Sequence, residues 1–147
     1  MFFFQFRIRR PLISALLALL LAAGLMNCPV AAGAEDNFAD EHPLVQVDID
    51  GYIYLTPRLL GAAAQDQTTA ARLLGEAGLT RRRAVYVGAK IAVAQAMVTG
   101  ALSPGQLTEK GIPLYLQPSA EELSLVQKNL TSLTQAQAEA RRIAAGL

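Results

Sequence analysis

Apolar positions follow one another in different ways along this chain, and each pattern predicts a different element. From Leu12 to Met26 almost every residue is Leu, Ala or Ile. The run is shorter than the roughly 20 residues that a stable bilayer span requires. Arg7, Arg9 and Arg10 precede it without a balancing acid, and Pro29-Val30-Ala31-Ala32-Gly33-Ala34 follows it. Small residues at Ala32 and Ala34 suit the narrow pockets of a signal peptidase. The pattern predicts an export leader over Met1–Ala34, cut before Glu35, with cleavage after Ala32 as the alternative. Cys28 lies where a bacterial lipoprotein carries its lipidated residue. Met26 and Asn27 are poor neighbours for that reaction, which makes lipidation the weaker expectation.

Beyond the leader the apolar run gives way to a polar stretch. Glu35 to Pro43 is acidic, with a lone Phe38 and no periodicity, and residues 35–47 read as a flexible acidic lead-in. Residues 48–147 are then expected to form a single helical domain. Its first stretch is ambiguous. Val45, Val47 and Ile49 alternate with polar residues ahead of Asp50-Gly51, a favoured hairpin pair. Against this, Ile49, Tyr52, Ile53, Leu59 and Leu60 recur at helical spacing if Asp48 is the N-cap. The balance favours a helix kinked at Pro57, because two isolated strands would be marginal.

The later elements have clearer punctuation. Asp66 can cap a helix from Gln67 to Ala77 that Gly78 terminates in a Schellman close with Leu79. Thr80 can cap a third helix from Arg81 to Thr99, stopped by Gly100. Between Ala84 and Thr99 its strongly polar side chains are Lys90 and Gln95 alone, so it is expected at the centre of a bundle or against a second subunit. Ser103-Pro104 can open a short helical turn to Glu109. Lys110 to Pro118, with Pro113 and Pro118, reads as an extended strap. Ser119-Ala120-Glu121-Glu122 is a capping box that starts the last helix, striped by Leu123, Val126, Leu130 and Leu133. After Leu133 the stripe thins to alanine, and the tail is expected to be exposed or frayed. The fold class expected is all-α: a compact bundle of about four helices with an apolar central helix and a proline-containing strap before the last.

Composition narrows the chemistry. Trimming the leader leaves just over a hundred residues, enough for one core without disulfide or metal staples. It also removes three arginines and no acid, so the net charge of +1 becomes about −2, which argues against nucleic acid as a partner. The leader carries away the sole cysteine and with it thiol chemistry. The sole histidine, His42, lies in the lead-in, and no S-x-x-K string is present. No catalytic residue, metal ligand or cofactor motif is assigned, and the protein is expected not to be an enzyme. Asp48-Ile49-Asp50-Gly51 resembles the middle of a calcium loop, but Gln46 and Pro57 occupy its end positions, where oxygen ligands are needed most.

Two candidate sites remain. Arg81, Arg82 and Arg83 oppose the dipole at the start of the third helix, which would suit an anion or an acidic partner surface. The bland alternative is pairing with Glu76 and other acids, or simple solvation. Tyr86, Lys90 and Tyr115 are candidates for a small-ligand pocket; buried, Lys90 would need a carboxylate or would lose its proton, but the expectation is that it snorkels along the helix edge. The sequence thus points to a small exported binding or adaptor protein of the bacterial envelope, periplasmic or secreted. Its expected partner is an envelope protein or a second copy, with membrane contact only through a lipidated Cys28. The alternative is a carrier of a small apolar or anionic ligand.

Overall fold

In a computed structural model the described residues are 38–62 and 66–146. The predicted leader, its cleavage site and Cys28 lie outside them. Six α-helices, a 3-10 turn and no β-strand make up the described fold. They are α1 (Gln46–Ala62), α2 (Gln67–Glu76), α3 (Arg81–Val98), α4 (Pro104–Glu109), the 3-10 turn Leu114–Leu116, α5 (Ala120–Lys128) and α6 (Leu130–Ala144).

The ambiguous stretch is helical, and its start differs from the expected one. Asp48 is not the N-cap; it occupies the third position of α1 and reaches back to accept the Val45 amide at 3.0 Å. Pro57 lies inside α1, where the Thr56 hydroxyl donates to the Tyr52 carbonyl at 2.7 Å. The α2 terminus follows its punctuation: Gly78 adopts φ +70°, and the Leu79 amide donates to the Leu74 carbonyl at 3.0 Å.

Four helices become six for two reasons. Ser103-Pro104 opens a separate helix, α4, in which Gln106 Oε1 accepts the Ser103 amide at 2.9 Å. The last helix is broken at Asn129, whose side-chain amide donates to the Leu125 carbonyl at 2.8 Å and exchanges hydrogen bonds with Gln46 across the bundle. A side chain that satisfies nearby backbone competes with helix continuation. The expected extended strap is likewise replaced by the 3-10 turn, which half-buries Tyr115 and Leu116 and leaves Leu114 exposed. The residues before Pro113 and Pro118 stay non-helical, but three of the four residues between the prolines close a turn.

Helix α3 is central, with Tyr86, Val87, Ile91 and Ala94 at or near zero exposure. It joins Phe38, Leu44, Ile49, Tyr52, Val126 and Leu133 in the main core. Leu55, Leu59, Leu73 and Leu79 form a second cluster, and Val93, Ala96, Leu102 and Leu107 a third. Helices α1 and α6 make the most extensive pairing. The expectation of a frayed tail is corrected here, because Ala136 and Ala140 are buried. Their small side chains give α6 a face that can approach α1 closely.

Gly51 has a comparable role on the other side of α1. A Cβ there would stand 2.9 Å from the Ala77 carbonyl oxygen and 3.0 Å from Leu79 Cδ1. Gly51→Ala improves helix propensity by about 1 kcal/mol, yet it forces α1 away from the α2–α3 turn. We expect a net loss of about 1–3 kcal/mol, read as a lower melting temperature. An unchanged or higher value would show that the two elements separate without cost.

Candidate functional site

The arginines at the start of α3 meet a segment that the sequence placed apart from the fold. Residues 38–45 fall within the stretch 35–47 that lacks periodicity and is expected to be flexible; in the fold Phe38 and Leu44 are buried, and the segment lies against α3 and α5. Arg83 is the main reason. Its side chain is 8% exposed, and its five N–H donors meet five oxygens. Nε and Nη2 clamp the two Asp48 oxygens at 3.1 and 2.6 Å. Nη1 donates to Glu41 at 3.1 Å and to the His42 carbonyl at 2.7 Å, and Nη2 donates to the Pro43 carbonyl at 3.0 Å. Burial alone would lower the guanidinium pKa; the hydrogen bonds and charges of Asp48 and Glu41 outweigh it, and the net shift is upward.

Arg82 extends the same contact. It pairs with Asp40 at 2.6 Å and Glu41 at 3.1 Å and lies over the Phe38 ring at 5.3 Å. Arg81 is exposed at the helix start. The carboxylates of Asp40, Glu41 and Asp48 therefore occupy the positions that an external anion would take at Arg82 and Arg83. Glu76, the acid expected to pair with these arginines, is engaged by Arg72 and by the Tyr54 hydroxyl. The Thr80 hydroxyl accepts the Arg83 amide at 3.1 Å, which satisfies one of the free donors at the helix start.

Lys90 does not snorkel. It is buried, 2.9 Å from Glu122 Oε2 and 2.9 Å from the Tyr86 hydroxyl. Glu122 is held on three sides: Oε1 accepts the Ser119 amide at 3.0 Å in the capping box, and Oε2 also accepts the Leu44 amide at 2.9 Å. Burial opposes ionisation of both partners, but the bonds prevail. Lys90 is shifted upward by Tyr86 and Glu122, and Glu122 downward by the Leu44 amide and Lys90. Tyr86, Lys90 and Tyr115 do come together, with Phe38 between the two rings at 5.8 and 6.1 Å. The space proposed for a ligand is filled by the chain's own phenylalanine.

The surface offers a different feature. An open trough runs beside α1, between α6 and α2. One hollow of about 510 Å³ is lined by Asp50, Ile53, Tyr54, Pro57 and Arg58 of α1 and by Ser132, Gln135, Ala136 and Glu139 of α6. A second, about 580 Å³, shares Tyr54, Pro57, Arg58 and Glu139 and adds Thr69, Arg72, Leu73 and Ile143. Short side chains at Ser132 and Ala136, one turn apart on α6, leave the space. Arg58 stacks 4.0 Å over the Tyr54 ring and donates to the Tyr54 carbonyl at 2.8 Å. The hydrogen bond to Glu76 raises the Tyr54 phenol pKa, and the same bond, with Arg72, lowers that of Glu76. Glu139 makes no side-chain hydrogen bond or ion pair with another described residue.

The sequence reading did not select Phe38, Asp48, Glu122 or the trough residues as site residues. A signal for Phe38 was present: an acidic run around one isolated aromatic matches a run of arginines in charge. Glu122 was visible only as a cap.

Among the described residues, no group of three or more His, Cys, Asp or Glu is placed to hold a metal ion. No helix among them is long and apolar enough to cross a membrane. Comparison with models of known protein families, with curated proteins and with solved structures returned no match.

Proposed function

We propose that this is a small exported, non-enzymatic binding or adaptor protein of the bacterial cell envelope, acting through contacts between its helices and a protein partner. One observation carries the reading. Among the described residues every buried side-chain nitrogen and oxygen has a hydrogen-bond partner. Arg83, Lys90, Asp48 and Glu122, the buried charges, are occupied with one another and with the backbone. Such closed networks hold architecture together, since an ionised group used for chemistry needs a free side toward substrate. What the molecule presents outward is the trough, where an aromatic ring, apolar side chains and both signs of charge meet, the composition of a protein-contact surface.

The test is native mass spectrometry of the protein isolated from its cells, with and without chemical cross-linking. A complex with another protein or with a second copy is the expected result. A co-purifying small molecule in its place would favour the ligand-carrier alternative, and a ligand-free monomer with no cross-linked species would sink both.

A further inference from the structure

We infer that residues 38–45 form an exchangeable arm, and that two copies of this chain pair by seating each arm in the groove of the other. The groove lies between α3, α5 and the 3-10 turn, and the arm itself shows which segment fits it. Phe38 lies against the Tyr86 and Tyr115 rings, and Asp40 and Glu41 pair with Arg82 and Arg83. The carbonyls of His42 and Pro43 accept from Arg83, and the Leu44 amide donates to Glu122. These bonds join residues between 40 and 78 positions apart. An arm from a second copy meets the same groove and keeps each of them, so exchanging it between copies is a low-cost route to a dimer. The joint between arm and α1 decides in favour of a second copy. Only Val45 separates the buried Leu44 from Gln46, the first residue of α1. An arm seated in a partner's groove therefore brings its own α1 start beside the partner's. Among the described residues three large apolar side chains are exposed, Val45, Val47 and Leu114, and the first two, at 47% and 65%, lie at that joint. Arm exchange gathers these valines from both copies and covers them. Proximity favours the arm's own groove, and the apolar area covered at the joint is a gain that a single copy lacks. The outer end of the arm also releases readily: the Arg82–Asp40 side chains are 48% and 77% exposed, and such pairs hold weakly. The inference deepens the reading above and rests on it in one respect, that the protein acts through protein contacts.

The experiment uses the full chain with a photo-reactive amino acid at the exposed position Ala39. Equal amounts of heavy-isotope-labelled and unlabelled protein are unfolded in urea, refolded together, irradiated and digested. Exchange predicts a dimer in native mass spectrometry, with half of the arm–α3 cross-linked peptide pairs carrying one labelled and one unlabelled partner. A charge swap at the exposed edge of the groove gives a second reading. Asp40→Lys and Arg82→Glu should each lower the dimer yield about tenfold or more, since each sets like charges against one another. Mixing the two variants should restore a heterodimer, because the introduced lysine of one copy meets the introduced glutamate of the other while the second groove keeps its native pair. Circular dichroism would show that both variants retain the helical fold. A dimer whose arm–α3 pairs all carry a single label, or variants that stay apart when mixed, overturns the inference. A monomer that forms a complex with a different protein overturns it while leaving the adaptor reading in place. A ligand-free monomer with no cross-link between chains overturns both.

Discussion

Arg83→Ala is expected to destabilise the domain by about 3–5 kcal/mol, the usual consequence of removing one partner from a buried ion pair. The substitution strands Asp48, whose carboxylate stays buried, and frees two carbonyls and Glu41 that hold residues 38–45 in place. Domains of this size have total stabilities of roughly 5–15 kcal/mol, so the loss would leave a partly unfolded population. Urea denaturation followed by circular dichroism measures it. The cause can be separated from lost packing by a cycle in which Asp48→Leu is added. If Asp48 is destabilising only because it is unpaired, the double variant should recover part of the loss. A single-variant cost below about 1 kcal/mol, the level of an exposed pair, would show that the buried network contributes little.

The second large effect centres on Glu122. Glu122→Ala removes the counter-ion of buried Lys90, the acceptor of the Leu44 amide and half of a capping box at once. Its expected cost is also about 3–5 kcal/mol. The same pair sets a pH dependence. The folded-state pKa of Glu122 is lowered from its usual 4.5, so its contribution is complete above that value and is lost as pH falls through the folded value. The pKa of Lys90 is raised from its usual 10.5, so its contribution is complete below that value and is lost as pH rises through the folded value. Stability from this pair is thus flat between the two limits and falls on both sides. Comparing urea midpoints at pH 7 and in the acid range for the wild type and a Lys90→Met/Glu122→Leu double variant checks the assignment. The double variant should lose less stability in acid, and equal losses would place the acid sensitivity elsewhere.

Much of the secondary structure was legible because its signals are local. Asp66, Thr80, Ser119 and Gly78 each perform the capping or terminating role that their side chains or their lack of one dictates. An apolar run from Ala84 to Thr99, interrupted by Lys90 and Gln95 alone among strongly polar side chains, marked α3 as central for an equally direct reason: it has no polar face to leave in water. The errors arose where one residue type serves two ends. Asn129 can sit in a helix or interrupt it, and Gln46, 83 residues away, supplies the partner that favours interruption. Alanines after Leu133 look featureless in sequence, yet they are the surface on which α1 rests.

The candidate sites show the same division. Three arginines and a lysine on an apolar helix were conspicuous along the chain, because charge at a helix start or on an apolar helix is costly and invites an explanation, although Lys90 was expected to snorkel. The sequence could name those costs, but it could not say who offsets them: the partners are Asp48 and Glu41, 35 and 42 residues before Arg83, and Glu122, 32 residues after Lys90. The capped starts of α2, α3 and α5, the glycine stop after α2 and the central position of α3 follow from neighbours in sequence and from periodicity. The six-helix arrangement, the docking of residues 38–45 and the trough with its unpaired Glu139 depend on which helices pack together. That choice is made by long-range burial and charge pairing, and no local window contains it.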